Sequence, residues 1–120
     1  MLYGVPSWGS GFFRVNEAGH VAVSPRGDAD PDSQIDLHAL VEGLRERGLT
    51  TPVLVRFPDV LRTRLESIRT AFDQAILESD YRGGYACVYP IKVNQQRQLV
   101  EAVMNTGEPL GFGLEAGSKP

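Results

Sequence analysis

One cysteine, Cys87, and two lysines, Lys92 and Lys119, are all that 120 residues contain of either type. A lone cysteine can neither close an internal disulfide nor build a multi-cysteine zinc site, so a disulfide-stapled secreted scaffold and a zinc knuckle are excluded. A reducing compartment is expected, and the expected location is cytoplasmic. No apolar run approaches the ~20 residues a membrane span needs, and Met1-Leu2-Tyr3-Gly4 lacks the basic patch and apolar stretch of an export signal. No membrane partner is expected. Lys and Arg total 12 against 15 Asp and Glu, for a formal charge of -3. The cations are scattered, so the gathered positive surface that nucleic acid demands is missing. What is present, with 42% apolar residues, reads as one acidic globular unit.

Two short apolar runs, Phe12-Phe13-Arg14-Val15 and Val21-Ala22-Val23, flank Asn16-Glu17-Ala18-Gly19-His20. Asn and Gly take the positive φ angles that tight turns require, so this stretch reads as a β-hairpin. Pro25, Gly27 and Pro31 among polar residues make 24–34 a loop. From Asp36 the period changes: Leu37, Leu40, Val41 and Leu44 form a helical stripe, with Asp36 placed to cap it and Gly48 to end it. Pro52 to Phe57 is a strand candidate, and Leu61, Leu65, Ile68, Phe72, Ala75 and Ile76 mark one face of a long amphipathic helix.

Beyond Gly83-Gly84, Tyr85-Ala86-Cys87-Val88-Tyr89-Pro90-Ile91 is apolar almost without interruption, the pattern of a strand covered on both faces. A third helical stripe, Leu99, Val100, Val103 and Met104, is closed by Asn105 and Gly107, and Gly111 to Leu114 is a short strand. The residues between these strands suffice for the helical crossover that parallel neighbours require. Strand, helix, strand, helix, strand is the opening of an α/β sheet or barrel. The sequence ends at Ser118-Lys119-Pro120, which reads as the cap of a further helix, and the expectation is a truncated piece of a larger enzyme.

Ligands of α/β folds gather at the carboxyl ends of parallel strands, and Lys92 stands at such an end. A lysine amine is nucleophilic only when neutral, which at pH 7 costs on the order of 4 kcal/mol from a pKa of ~10.4; a partly dehydrated wall lowers that cost. Lys92 is thus a candidate Schiff-base former, against the plainer reading that it reaches solvent or pairs with an acid such as Glu115. Other features read plainly. Asp28, Asp30 and Asp32 mimic the start of a calcium loop, but Ser33 and Ala39 stand where the turning Gly and the bidentate Glu belong. Arg26-Gly27-Asp28 is a chance tripeptide. Cys87 is an inert core thiol, and His20 and His38 lack a partner at metal spacing.

Tyr89-Pro90-Ile91-Lys92-Val93-Asn94-Gln95 resembles the segment that carries the cofactor lysine in biosynthetic arginine decarboxylases, which share a fold with ornithine and diaminopimelate decarboxylases and alanine racemase. Tyr3 to Gly19, Val55 to Leu61 and Gly113 to Lys119 are similar to three further segments of the family, in the same order. The resemblance implies the N-terminal portion of a TIM-type (β/α)8 barrel that binds pyridoxal phosphate, incomplete in this chain, preceded by a β-hairpin belonging to a β-domain. It implies a division into 1–34, hairpin and loop, and 35–120, the first βα units of the barrel. The activity implied is conversion of L-arginine to agmatine and carbon dioxide for polyamine synthesis, with pyridoxal 5'-phosphate held by Lys92, magnesium as second cofactor at unassigned residues, and a homo-oligomer. Glu115, at the end of the next strand, is the candidate for the cofactor side, with helix capping or solvation as the alternative. Ser118 and Lys119 match the family without a catalytic assignment. The alternatives are a decarboxylase of another basic amino acid, such as ornithine or diaminopimelate, and a non-catalytic single-barrel pyridoxal-phosphate binder.

Overall fold

The two leading apolar runs pair as expected. In the computed structural model, which describes residues 2–27, 30 and 32–117, β1 (Phe13–Val15) runs antiparallel to β2 (Val21–Val23), with Phe13 opposite Val23 and Val15 opposite Val21. Asn16 ties the turn: its side-chain oxygen accepts from the His20 N–H at 2.9 Å and its carbonyl from the Gly19 N–H. Ala22, Val23 and Phe12 are buried, and a short helix α1 (Val5–Trp8) sets Trp8 against Phe13 with ring centroids 5.3 Å apart. A third strand, which the sequence does not announce, follows the 24–34 segment. Ile35 and Asp36 form β3, antiparallel to β2, giving the sheet order β1-β2-β3.

Helix α2 (Leu37–Glu46) starts as the sequence dictates, the Asp36 carboxylate accepting from the Ala39 N–H at 3.0 Å. Its end is a Schellman motif around Gly48, whose N–H bonds the Arg45 carbonyl while the Leu49 N–H bonds that of Leu44. The chain forms two compact units, Met1–Val60 and Leu61–Pro120. Helix α2 belongs to the first, where it packs on β2. The 52–57 segment is not a strand: it is irregular, with Leu54 71% exposed. No described strand lies beside it, and an extended segment with no neighbour has no ladder to close.

Helix α3 (Pro58–Glu78) is the long amphipathic helix, with Leu65 buried and Ile68 and Ile76 half-buried on the striped face. In the second unit β4 (Cys87–Pro90) lies parallel to β5 (Phe112–Glu115), joined through α4 (Arg97–Gly107), as a parallel pair with a helical crossover requires. Val103 of α4 is fully buried, and Gly107 meets Phe112 so closely that a Cβ there would lie 2.8 Å from the Phe112 Cβ. Helix α4 ends at Gly107, as the sequence suggests. A 3-10 turn over Glu108–Leu110 follows α4, and Gly111, at φ 79°, turns the chain into β5.

The fold is therefore mixed α/β, a small antiparallel sheet and a parallel pair. Strand β4 is not covered on both faces as its apolar run suggested: Val88 is 53% exposed, because a two-stranded sheet flanked by one crossover helix has an open side. Asp28 and the Ser118-Lys119 pair lie outside the described residues.

Candidate functional site

Strands β4 and β5 point the same way, and Pro90 and Glu115 are register partners at their carboxyl ends. The chain leaving β4 makes a 3-10 turn, Ile91–Val93, that carries Lys92. Lys92 and Glu115 thus belong to one edge of the parallel pair, the edge where α/β folds collect ligands. Glu115 is half-buried. Lys92 is exposed, not pressed against a dehydrated wall, since the strand before it is itself open on one side. Among the described residues it forms no ion pair with Glu115 or any other acid.

Tyr89 holds the lysine-bearing turn. Its hydroxyl donates to the Asn94 carbonyl at 3.2 Å, bridging the residues on either side of Lys92, while the Asn94 side chain accepts from the Gln96 N–H at 3.1 Å and leads into α4. Sequence reasoning missed this bracing. The signal was there in a tyrosine three residues before the lysine and an asparagine two after it.

At the opposite end of the pair Arg69 of α3 is the organising charge. Its Nε and Nη2 take both oxygens of Asp73, at 2.9 and 2.7 Å, and its Nη1 donates to the carbonyls of Tyr85 and Leu110, each at 3.2 Å. Asp73, chiefly through these hydrogen bonds, raises the Arg69 pKa; burial opposes it, and the charge of Asp73 adds a smaller push upward. The Tyr85 ring stacks on Phe72 with centroids 3.9 Å apart, and the Cys87 side chain, with burial second, pushes its phenol up from the ordinary value. Phe72, Tyr85, Ala75, Ile76 and Tyr81 line an open apolar groove of about 380 Å³.

In the first unit the Asp36 carboxylate accepts from Asn16 at 2.8 Å and from His20 Nδ1 at 2.9 Å while capping α2, and the His20 and His38 rings stack at 4.5 Å. The Ala39 N–H foremost, then His20 and Asn16, hold the Asp36 carboxyl well below the usual carboxylate range. Asp36 was legible as a cap, but its partnership with the hairpin was not. No group of three or more His, Cys, Asp or Glu side chains among the described residues is arranged to hold a metal ion, so magnesium has no ligands assigned here. Among them too, no helix is long and apolar enough to cross a membrane.

A parallel βαβ unit with an exposed primary amine and a carboxylate at its carboxyl edge is an α/β arrangement, the class of fold in which ligands gather at strand ends. The comparisons with known proteins narrow it. No family model matches. The chain is 54% identical over 120 residues to the biosynthetic arginine decarboxylase of Aeromonas hydrophila, covering 99% of this chain and 19% of the relative. It is 50% identical over 119 residues to that of Gloeobacter violaceus, covering 99% and 18%. The crystal structure of the biosynthetic arginine decarboxylase SpeA from Campylobacter jejuni superposes with a TM-score of 0.85 at 34% identity, again over 99% of this chain and 19% of that one. Over nearly its whole length the chain is similar in sequence and fold to biosynthetic arginine decarboxylases, of whose length it spans about a fifth.

Proposed function

We propose that this chain supplies the lysine-bearing N-terminal part of a pyridoxal-phosphate-dependent decarboxylase that converts L-arginine to agmatine and carbon dioxide. In this reading the βαβ unit is part of a TIM-type barrel, and the complete enzyme is a cytoplasmic homo-oligomer that also uses magnesium. The observation that carries the reading is the common edge of Lys92 and Glu115, fixed by the pairing of Pro90 with Glu115.

The residues suit the cofactor. Its aldehyde calls for a primary amine with no competing partner, and Lys92 is exposed and outside every ion pair of the described residues. When bound, pyridoxal phosphate supplies the sink for the electron pair left on the α-carbon as carbon dioxide departs. The protein's share is placement and proton handling. Lys92 would hold the group through Nζ and, once released by the substrate amine, carry a proton at that same atom. Glu115 is half-buried on the same edge and offers a carboxylate to a neighbouring cationic group. The Tyr89–Asn94 bridge limits the freedom of the turn from which Lys92 reaches.

Incubation with pyridoxal phosphate, borohydride reduction and peptide mapping test this. The two lysines of the chain make the result readable. Label concentrated on Lys92 is expected; label spread equally over Lys92 and Lys119 overturns the reading.

A further inference from the structure

Register partners in the parallel pair differ by a constant 25 positions, as in Cys87 with Phe112 and Pro90 with Glu115. Tyr85 and Leu110 keep the same offset, each two residues ahead of its strand, and their carbonyls both accept from Nη1 of Arg69 at 3.2 Å. One nitrogen therefore measures the two chains at the same level before pairing begins. We propose that Arg69 is a positioning residue that fixes the register of β4 against β5, and through it the relative placement of Lys92 and Glu115 at the far edge.

Three observations support this. The guanidinium cannot drift, because Asp73 grips it with both oxygens, a two-point fork that an ammonium could not match while also serving two carbonyls. Gly111 leaves room for the approach to Leu110: a Cβ there would stand 3.3 Å from Nη1, a tight contact. The strands are also short, four residues each, so few ladder bonds of their own oppose sliding. A slip by one residue would displace Glu115 from its level by about 3.3 Å and turn its side chain to the other face.

The consequence for catalysis rests on the reading of Lys92 and Glu115 as a working edge, but the register itself is tested without cofactor. In a Cys87→Ser background, Tyr89→Cys with Leu114→Cys reports the native register, since partners on adjacent strands lie about 4.8 Å apart, within disulfide reach. Tyr89→Cys with Gly113→Cys, and with Glu115→Cys, report slips of one residue in either direction. With Arg69 present the native pair should oxidise at least tenfold faster than either slipped pair. Arg69→Gln should remove that preference by slowing the native pair and accelerating a slipped one. Should Arg69→Gln fail to fold, Asp73→Asn, which frees the guanidinium while leaving it in place, is read the same way. An unchanged preference, or equal slowing of all three pairs, overturns the proposal, the latter because it marks a purely stabilising role. Failure of pyridoxal phosphate to label Lys92 would instead remove the functional reading and leave the register result standing.

Discussion

The imidazole of His20 donates to the carboxylate of Asp36 at 2.9 Å, so the turn of the β-hairpin and the amino end of α2 share one anion. Asp36 titrates well below its ordinary range, chiefly because it accepts from the Ala39 N–H. A depressed native value means that protonation favours the unfolded chain. The stability Asp36 contributes is complete above the unfolded value of ~3.9 and is lost as the pH falls through the lowered native one. Replacing Asp36 with Ala should lower the melting temperature by about 5 °C at pH 7, and the gap to the wild type should close on acidification below about pH 4. A gap that is constant down to pH 2 would show that the carboxylate charge plays no part.

Gly107 lies against Phe112 at a distance no side chain tolerates. Alanine would gain up to about 1 kcal/mol in helix propensity, but forcing a methyl into that contact costs roughly 1–3 kcal/mol, so the clash wins. Gly107→Ala should destabilise the second unit by about 1–2 kcal/mol, read as a lower denaturation midpoint with unchanged slope.

Ser24 is completely buried, and its hydroxyl has no hydrogen-bond partner among the described residues. An orphaned buried hydroxyl costs about 1–3 kcal/mol, and removing it cancels that penalty at the expense of one small void. Ser24→Ala should therefore be neutral to stabilising by about 1 kcal/mol in urea unfolding. A loss of more than 1 kcal/mol would mean that the hydroxyl is engaged.

The chain spans about a fifth of the arginine decarboxylases it resembles, and Lys92 and Glu115 are the titratable groups that the described β4–β5 pair brings to the edge where ligand is expected. A catalytic centre needs more groups than these to anchor phosphate, protonate the ring and read a substrate side chain. The 120-residue chain alone should form no detectable agmatine from arginine. Product that disappears in Lys92→Ala would contradict this.

Elements whose signals are local were legible in the sequence. The hairpin followed from Asn16 and Gly19, the start of α2 from Asp36, and the parallel pair from two apolar runs separated by a helical stripe. Those that depend on distant partners were not. Strand β3 is only two residues long and exists because β2 offers it a free edge, which no periodicity announces. The 52–57 stretch shows the converse, a good strand composition with no described neighbour. The exposure of Lys92 was not legible, because an apolar run does not by itself distinguish a strand covered on one face from one covered on both. The double carbonyl contact of Arg69 spans 41 residues in sequence and left no trace in its helical stripe.

Both outer margins of the β4–β5 ribbon carry peptide groups with no strand beside them among the described residues, next to the exposed side chains of Val88 and Leu114. A ribbon of that kind is adhesive: other extended chains can dock along it through main-chain bonds that ignore side-chain identity. Handled at high concentration, the isolated polypeptide should therefore thicken or precipitate as intermolecular β-structure accumulates, and dilute preparations should stay clear for longest.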